Sequence, residues 1–136
     1  MLVDTCIWSL VLRRKPSTTL SADEQMLALS LSDAVKDGRV AMIGPIRQEV
    51  LSGVKESTQF EKLSLALGTF PDEPLSTSDY VSAARFFNFC RSRGVECGTV
   101  DILLCAVAEH RGWAILTNDQ ALKRCIGMIQ GVKLIG

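Results

Sequence analysis

Residues 98–122, GTVDILLCAVAEHRGWAILTNDQAL, hold a helix, a sharp break, a short apolar run and a polar turn, in that order. Thr99 is placed to cap a helix whose apolar residues Val100, Leu103, Leu104, Val107 and Ala108 recur at helical spacing. Arg111-Gly112 should end it, because glycine enters the left-handed conformation of a helix terminus at little cost. Trp113 to Leu116 then reads as a short buried strand, and Thr117-Asn118-Asp119 as the turn at its C-terminal end. One carboxylate, Asp101, falls in the first turn of the helix, and another, Asp119, just past the strand. Ligands of open parallel α/β sheets bind at that edge.

Working outward, Met1-Leu2-Val3 is a short strand stopped by Asp4, and Thr5 to Leu12 continues as an apolar helix. Lys15 to Thr19 reads as a loop. Ser21 and Glu24 have capping-box spacing before a helix that should bury Leu27, Leu31, Ala34 and Val35. Arg39 to Ile43 is a second strand, and Gly44-Pro45 opens a helix carrying Glu49. Thr58 to Phe70 places Phe60, Leu63, Leu67 and Phe70 on one face. Leu75 is a candidate edge strand, and Ser78 to Arg93 a helix carrying Val81, Ala84, Phe87 and Cys90. Gln120 to Ile126 and Val132 to Ile135 complete the chain as helix and strand. Alternating strands and helices imply one doubly wound α/β domain over residues 1–136, with a mainly parallel sheet flanked by helices on both sides. A first strand beside Trp113–Leu116 would put Asp4 and Asp119 at the ends of neighbouring strands.

The composition is that of an ordinary globular chain, 136 residues with 47% hydrophobic and 22% charged. Fifteen basic residues balance fifteen acidic ones, so overall charge gives no footprint for nucleic acid, although a local patch would suffice. Arg13-Arg14-Lys15 and Arg85, Arg91 and Arg93 are the densest basic groups. The five cysteines lack a Cys-x-x-Cys pair, and there is one histidine. Reduced thiols in a cytoplasmic protein are therefore expected, rather than disulfides or structural zinc. Cys6 and Cys105 read as small hydrophobes. The N-terminus does not read as a secretory signal, and no apolar run approaches a membrane span.

Four carboxylates, Asp4, Glu49, Asp101 and Asp119, can be placed on one sheet edge. Singly, each has an ordinary explanation: helix caps for Asp4 and Asp119, a dipole partner for Asp101, a solvated helix position for Glu49. Together they repel, by about 4 kcal/mol for two unit charges near contact at an effective dielectric of about 20. Such a cluster raises its pKa values or holds a cation. Oxygen ligands without a soft partner select Mg²⁺ or Mn²⁺, and a carboxylate-held ion with open positions can activate water against a phosphodiester.

At these residues the chain resembles the PIN-domain family, most closely VapC-type toxin ribonucleases of toxin–antitoxin pairs. The matching segments are Val3-Asp4-Thr5, Arg47-Gln48-Glu49-Val50, Val100-Asp101-Ile102-Leu103 with Ala106 beyond, and Leu116-Thr117-Asn118-Asp119. The resemblance covers essentially the full length. It implies a five-stranded parallel sheet between helices and endonucleolytic RNA cleavage dependent on Mg²⁺ or Mn²⁺. Asp4, Glu49, Asp101 and Asp119 would be the catalytic, metal-binding acids, with Thr5 and Thr117 lining the site. A homodimer and a cognate VapB-type antitoxin are the implied partners, with tRNA, rRNA and mRNA equally open as substrate. Many relatives carry a further Asp just after the fourth acid; here Ala121 and Leu122 stand there. One firmly held metal, with a second recruited by substrate, is the matching expectation. Arg13, Arg14 and Arg47 are candidates for holding the RNA backbone.

Other readings fare less well. His110, as the only histidine, is the one base available to a Ser-His-Asp or Cys-His site, and it reads as a helix-end residue. No glycine-rich phosphate loop follows a strand. Trp8, Trp113, Phe86, Phe87 and Phe89 read as core rather than base-stacking residues. A receiver domain would want an adjacent acidic pair after the first strand and a late lysine, neither present. The alternative to the nuclease is a PIN-like RNA- or protein-binding module that has lost catalysis, which the intact four acids disfavour.

Overall fold

Strand β1 is only Leu2–Val3, because Asp4 adopts an extended backbone and its carboxylate accepts the Thr5 N–H at 2.8 Å, starting helix α1 (Thr5–Leu12). The structure is a computed structural model that describes residues 1–13 and 19–135. Helix α2 (Ala22–Lys36) opens on the expected capping box, with the Ser21 hydroxyl accepting the Glu24 N–H and Glu24 accepting the Ser21 N–H. Helix α3 (Gly44–Leu51) has proline in its first turn, and α4 (Ser57–Leu67) has no side-chain cap. Helix α5 (Thr77–Ser92) starts on a second capping box, Ser76 with Asp79. Helix α6 (Thr99–Arg111), strand β2 (Ala114–Leu116), helix α7 (Gln120–Gly127) and strand β3 (Lys133–Ile135) follow.

These elements divide into two units, residues 3–73 and residues 1–2 with 74–136. In the first, α1 packs on α2 and α3, and α3 on α4. Trp8 stacks obliquely on Phe70, with ring centroids 5.2 Å apart. Arg47 on α3 donates to the Asp72 carboxylate at 3.0 Å, to the Leu67 carbonyl at 2.9 Å and to the Phe70 carbonyl. Those carbonyls lie at and beyond the end of α4, where a helix leaves its last acceptors without intrahelical donors. Arg47 thus caps α4 from a neighbouring helix.

In the second unit α6 is the central element. Ile102 to Ala108 are all buried, so the helix is covered around its whole circumference there. It packs on α5, α7 and β2. Gly112 ends it with φ 68°, as expected, and the Trp113 N–H reaches back to the Ala108 carbonyl at 2.9 Å. Strands β2 and β3 are parallel, Ala114 opposite Lys133 and Leu116 opposite Ile135, in a sheet of order β1-β2-β3. The order places β1 beside β2.

Several expectations are corrected. The described residues contain three strands of two or three residues, not five, and bridge residues at Ala41 and Met42, of which Met42 pairs parallel with Asp72. That bridge stands where Arg39 to Ile43 was expected to form a strand. It cannot lengthen, because α3 begins immediately after Ile43, and Pro71 and Pro74, which lack N–H groups, flank Asp72-Glu73. Leu75 forms no strand. Val35, Phe60, Val81 and Ala84 are exposed, while Ala34 and Cys90 are buried as expected and Ala83 is buried in place of Ala84.

The cysteine expectation is corrected too. Cys97 and Cys125 form a disulfide, their Cα atoms 6.1 Å apart, while Cys6, Cys90 and Cys105 are free. The packing of α7 on α6 brings together two cysteines 28 positions apart, a proximity that no local spacing could reveal. Closing a loop of that length removes on the order of 3.5 kcal/mol of chain entropy from the unfolded state. Among the described residues no helix is long and apolar enough to cross a membrane.

Candidate functional site

The six residues expected to build the site lie in both units: Asp4, Thr5 and Glu49 in residues 3–73, Asp101, Thr117 and Asp119 in the other. Each unit positions its own set through helix starts. In the first, the buried Asp4 caps α1 through Oδ1 and receives the Cys6 thiol on Oδ2 at 3.2 Å. Cys6, expected to be only a small hydrophobe, thus orients this carboxylate. Thr5 donates its hydroxyl to Glu49 Oε1 at 2.7 Å, joining the start of α1 to α3. Thr5 and Glu49 are therefore brought together, 44 positions apart in sequence.

In the second unit, Asp101 occupies the first turn of α6, where a negative charge complements the helix dipole. Thr99 does not cap this helix. Gly98 does, with φ −64° and ψ 153°, and Thr99 is already helical. A Cβ on Gly98 would stand 3.4 Å from Asp101 Oδ2, so the carboxylate lies folded over the bare cap. After β2, the buried Thr117 accepts the Asp119 N–H at 3.0 Å, and Asp119 accepts the Ala121 N–H at 2.9 Å as cap of α7. Three of the four acids thus sit at the N-terminus of a helix, and two of those helices directly follow a strand.

All the donors in this set are carboxylate or hydroxyl oxygens, the chemistry that suits a hard divalent ion. Among the described residues no three His, Cys, Asp or Glu side chains are gathered closely enough to hold one. Of the expected RNA contacts, Arg13 is exposed at the end of α1, and Arg14 lies outside the described residues. Arg47 is committed to the α4 clamp through all three guanidinium nitrogens, so its role is structural rather than RNA-facing.

A second polar constellation was not foreseen. His110 Nδ1 stands 2.8 Å from Asp79 Oδ1, and His110 Nε2 stands 2.8 Å from the Ser82 hydroxyl. Arg111 grips both Asp79 oxygens at 2.9 and 3.0 Å and the Pro74 carbonyl at 2.9 Å. The Arg111 guanidinium holds the Asp79 carboxyl well below the ordinary carboxylate range. Burial opposes this, and the Ser76 N–H and His110 reinforce it. Because Asp79 is ionised, it accepts the Nδ1–H of His110.

The Ser-His-Asp order invites a nucleophile reading, but two features oppose it. A carboxylate already neutralised by a guanidinium has little charge left to stabilise an imidazolium. Ser82 also lies inside α5, where backbone N–H groups are engaged in helix bonds and supply no oxyanion donors. The knot fastens the start of α5 to the end of α6. The capping spacing of Ser76 and Asp79 was the one sequence signal that could have found its carboxylate.

Similarity to solved structures agrees with this architecture. FitAcB from Neisseria gonorrhoeae superposes with a TM-score of 0.73 at 14% identity, covering 99% of this chain and 96% of that one. VapBC2 from Rickettsia felis, bound to a DNA fragment from its promoter, gives 0.70 at 16% identity, covering 98% and 96%. FitAB bound to the IR36 DNA fragment gives 0.70 at 16%, covering 98% and 92%. At these identities the likeness concerns the fold. No individually curated protein matches significantly. The PIN domain family model, however, matches residues 1–126, which takes in all four candidate acids, and the chain belongs to the PIN domain family.

Proposed function

We propose that this chain is a Mg²⁺- or Mn²⁺-dependent endoribonuclease acting as the toxin of a toxin–antitoxin pair. Nuclease chemistry is general among PIN domains, and the finer assignment rests on this chain's own residues. The observation that carries it is the placement of Asp4, Asp101 and Asp119 at helix N-termini within the matched family region. The helix dipole favours negative charge at such positions, and backbone N–H groups fix the Asp4 and Asp119 carboxylates in place.

In this reading Asp4, Asp101 and Asp119 hold the ion, and Glu49 serves as a further ligand or as the base. Thr5 fixes the Glu49 carboxylate through its 2.7 Å bond, and Thr117 fixes the turn that presents Asp119. The ion, when bound, would lower the pKa of a water and steady the leaving oxygen of the phosphodiester. Arg13 would hold a phosphate. The family's further acid after Asp119 is replaced by Ala121 and Leu122, which favours one firmly held ion.

The partnership follows by analogy with the similar folds, whose names pair two components, VapB with VapC and FitA with FitB. A VapB-type antitoxin and a homodimer are the proposed assembly. The test is cleavage of total cellular RNA by purified protein with Mg²⁺ or Mn²⁺, beside EDTA and Asp101→Asn controls. Discrete fragments that vanish in both controls would support the nuclease. Uncleaved RNA, across a panel of structured substrates and with folded, antitoxin-free protein, would transfer the assignment to a non-catalytic PIN-like binding module.

A further inference from the structure

The Cys97–Cys125 bond closes a ring of chain that contains both Asp101 and Asp119. Cys97 is the residue before the Gly98 cap, and so stands at the entry to the turn that carries Asp101. Cys125 is on α7, the helix capped by Asp119. The bond therefore fastens the entry of one acid-bearing helix to the body of the other.

We propose that this disulfide is a reversible redox clamp on divalent-cation binding. Oxidised, it holds the α6 entry against α7 and keeps Asp101 and Asp119 in register. Reduced, it frees the loop before Gly98 and weakens the site. The proposal rests on the metal-site reading above.

Three features make the bond fit for exchange rather than only for bracing. Residues 95–98 are non-helical, so Cys97 can move away without breaking a helix. The Glu96 carbonyl oxygen stands 3.9 Å from Cys125 Sγ, an acceptor for the thiol that reduction creates. Burial pushes the free Cys90 thiol up, so it stays protonated and does not compete as an attacking thiolate.

The reductant is a small dithiol. Its thiolate attacks Cys97 Sγ, the S–S bond breaks, and Cys125 leaves as a thiolate that takes up a proton. The second thiol of the reductant, as thiolate, then attacks the mixed disulfide and expels Cys97, which is protonated in turn. The dithiol is oxidised by two electrons to its cyclic disulfide, and the protein disulfide is reduced to two thiols. Both sulfurs are buried, so exchange waits on opening of the 95–98 loop.

The experiment is a Mn²⁺ titration followed by electron paramagnetic resonance. It uses oxidised wild type, dithiothreitol-reduced wild type and Cys97→Ser/Cys125→Ser, with far-UV circular dichroism to confirm folding. Should the serine pair fail to fold, Cys97→Ala/Cys125→Val supplies an apolar pair for the same buried space. The expected result is Mn²⁺ affinity on the order of tenfold weaker in reduced than in oxidised wild type, restored on reoxidation. The double variant should match the reduced form and ignore dithiothreitol. Equal, tight binding in both redox states would overturn the clamp and leave the metal site standing. Absence of binding in both states would overturn the metal reading itself, and the clamp with it.

Discussion

Asp79 and Asp119 both stand at the start of a helix, and the fold treats them in opposite ways. Asp79 is buried and gripped by Arg111 on both oxygens, with His110 and the Ser76 N–H adding to the same carboxylate. Asp119 is half-buried, and its carboxylate accepts one N–H, from Ala121; among the described residues no cation meets it. The first carboxylate is neutralised within the chain and contributes stability. The second is fixed in place by a backbone N–H alone, the arrangement that the proposed metal-binding role needs. Acid at a helix start is therefore not one signal but two, and the partner on the neighbouring element tells them apart.

The sharpest way to break this contrast is to remove charge at the two places and compare activity with stability. Asp101→Asn or Asp119→Asn should lower RNA cleavage on the order of 10³-fold, equivalent to about 4 kcal/mol, in single-turnover assays. The melting temperature of each should stay close to that of wild type, because asparagine serves a helix start as well as aspartate does. Asp79→Asn should show the reverse. Leaving Arg111 without its countercharge costs about 2–3 kcal/mol after allowing for its partial exposure, or about 9 °C in a thermal melt. Cleavage per folded molecule should be unchanged. A large loss of cleavage there would show that the knot belongs to the site after all.

Acid sharpens the comparison further. The folded pKa of Asp79 lies below its ordinary value of 3.8, so between the two the unfolded chain binds the extra proton. Its contribution is complete above about pH 4 and declines as pH falls toward the folded value. The gap in urea midpoint between wild type and Asp79→Asn should therefore be narrower at pH 3 than at pH 7. The smallest expected effect concerns the cap alone. Asp119→Ala should cost about 1 kcal/mol of stability that Asp119→Asn does not, read from urea unfolding of the two variants side by side.

The helices were legible because their stop and start residues act locally: Ser21 with Glu24, Pro45 and Gly112 each fix a boundary within a few positions. Asp4, Asp101 and Asp119 are legible for the same reason, each lying at the junction between a strand or loop and a helix, whereas Glu49 lies within α3. What the sequence concealed depends on contacts between distant segments. Arg47 looks like any helix-surface arginine until the end of α4 folds next to it. His110 looks isolated until α5 brings Asp79 and Ser82 to its ring. The disulfide joins residues whose separation has no periodic meaning, and the shortened bridge at Met42 follows from two prolines in the opposing segment. Helical spacing alone points Val35 and Val81 inward, because it gives an apolar stripe its period but not its exact centre.

The ring closed by Cys97 and Cys125 also changes what a protease would leave behind. A single cut between these two residues, even within the Thr117-Asn118-Asp119 turn, yields two polypeptides that remain one covalent molecule, each fragment carrying one sulfur of the bond. Such a nicked species would migrate as intact protein on a non-reducing gel and separate into two bands only after thiol treatment.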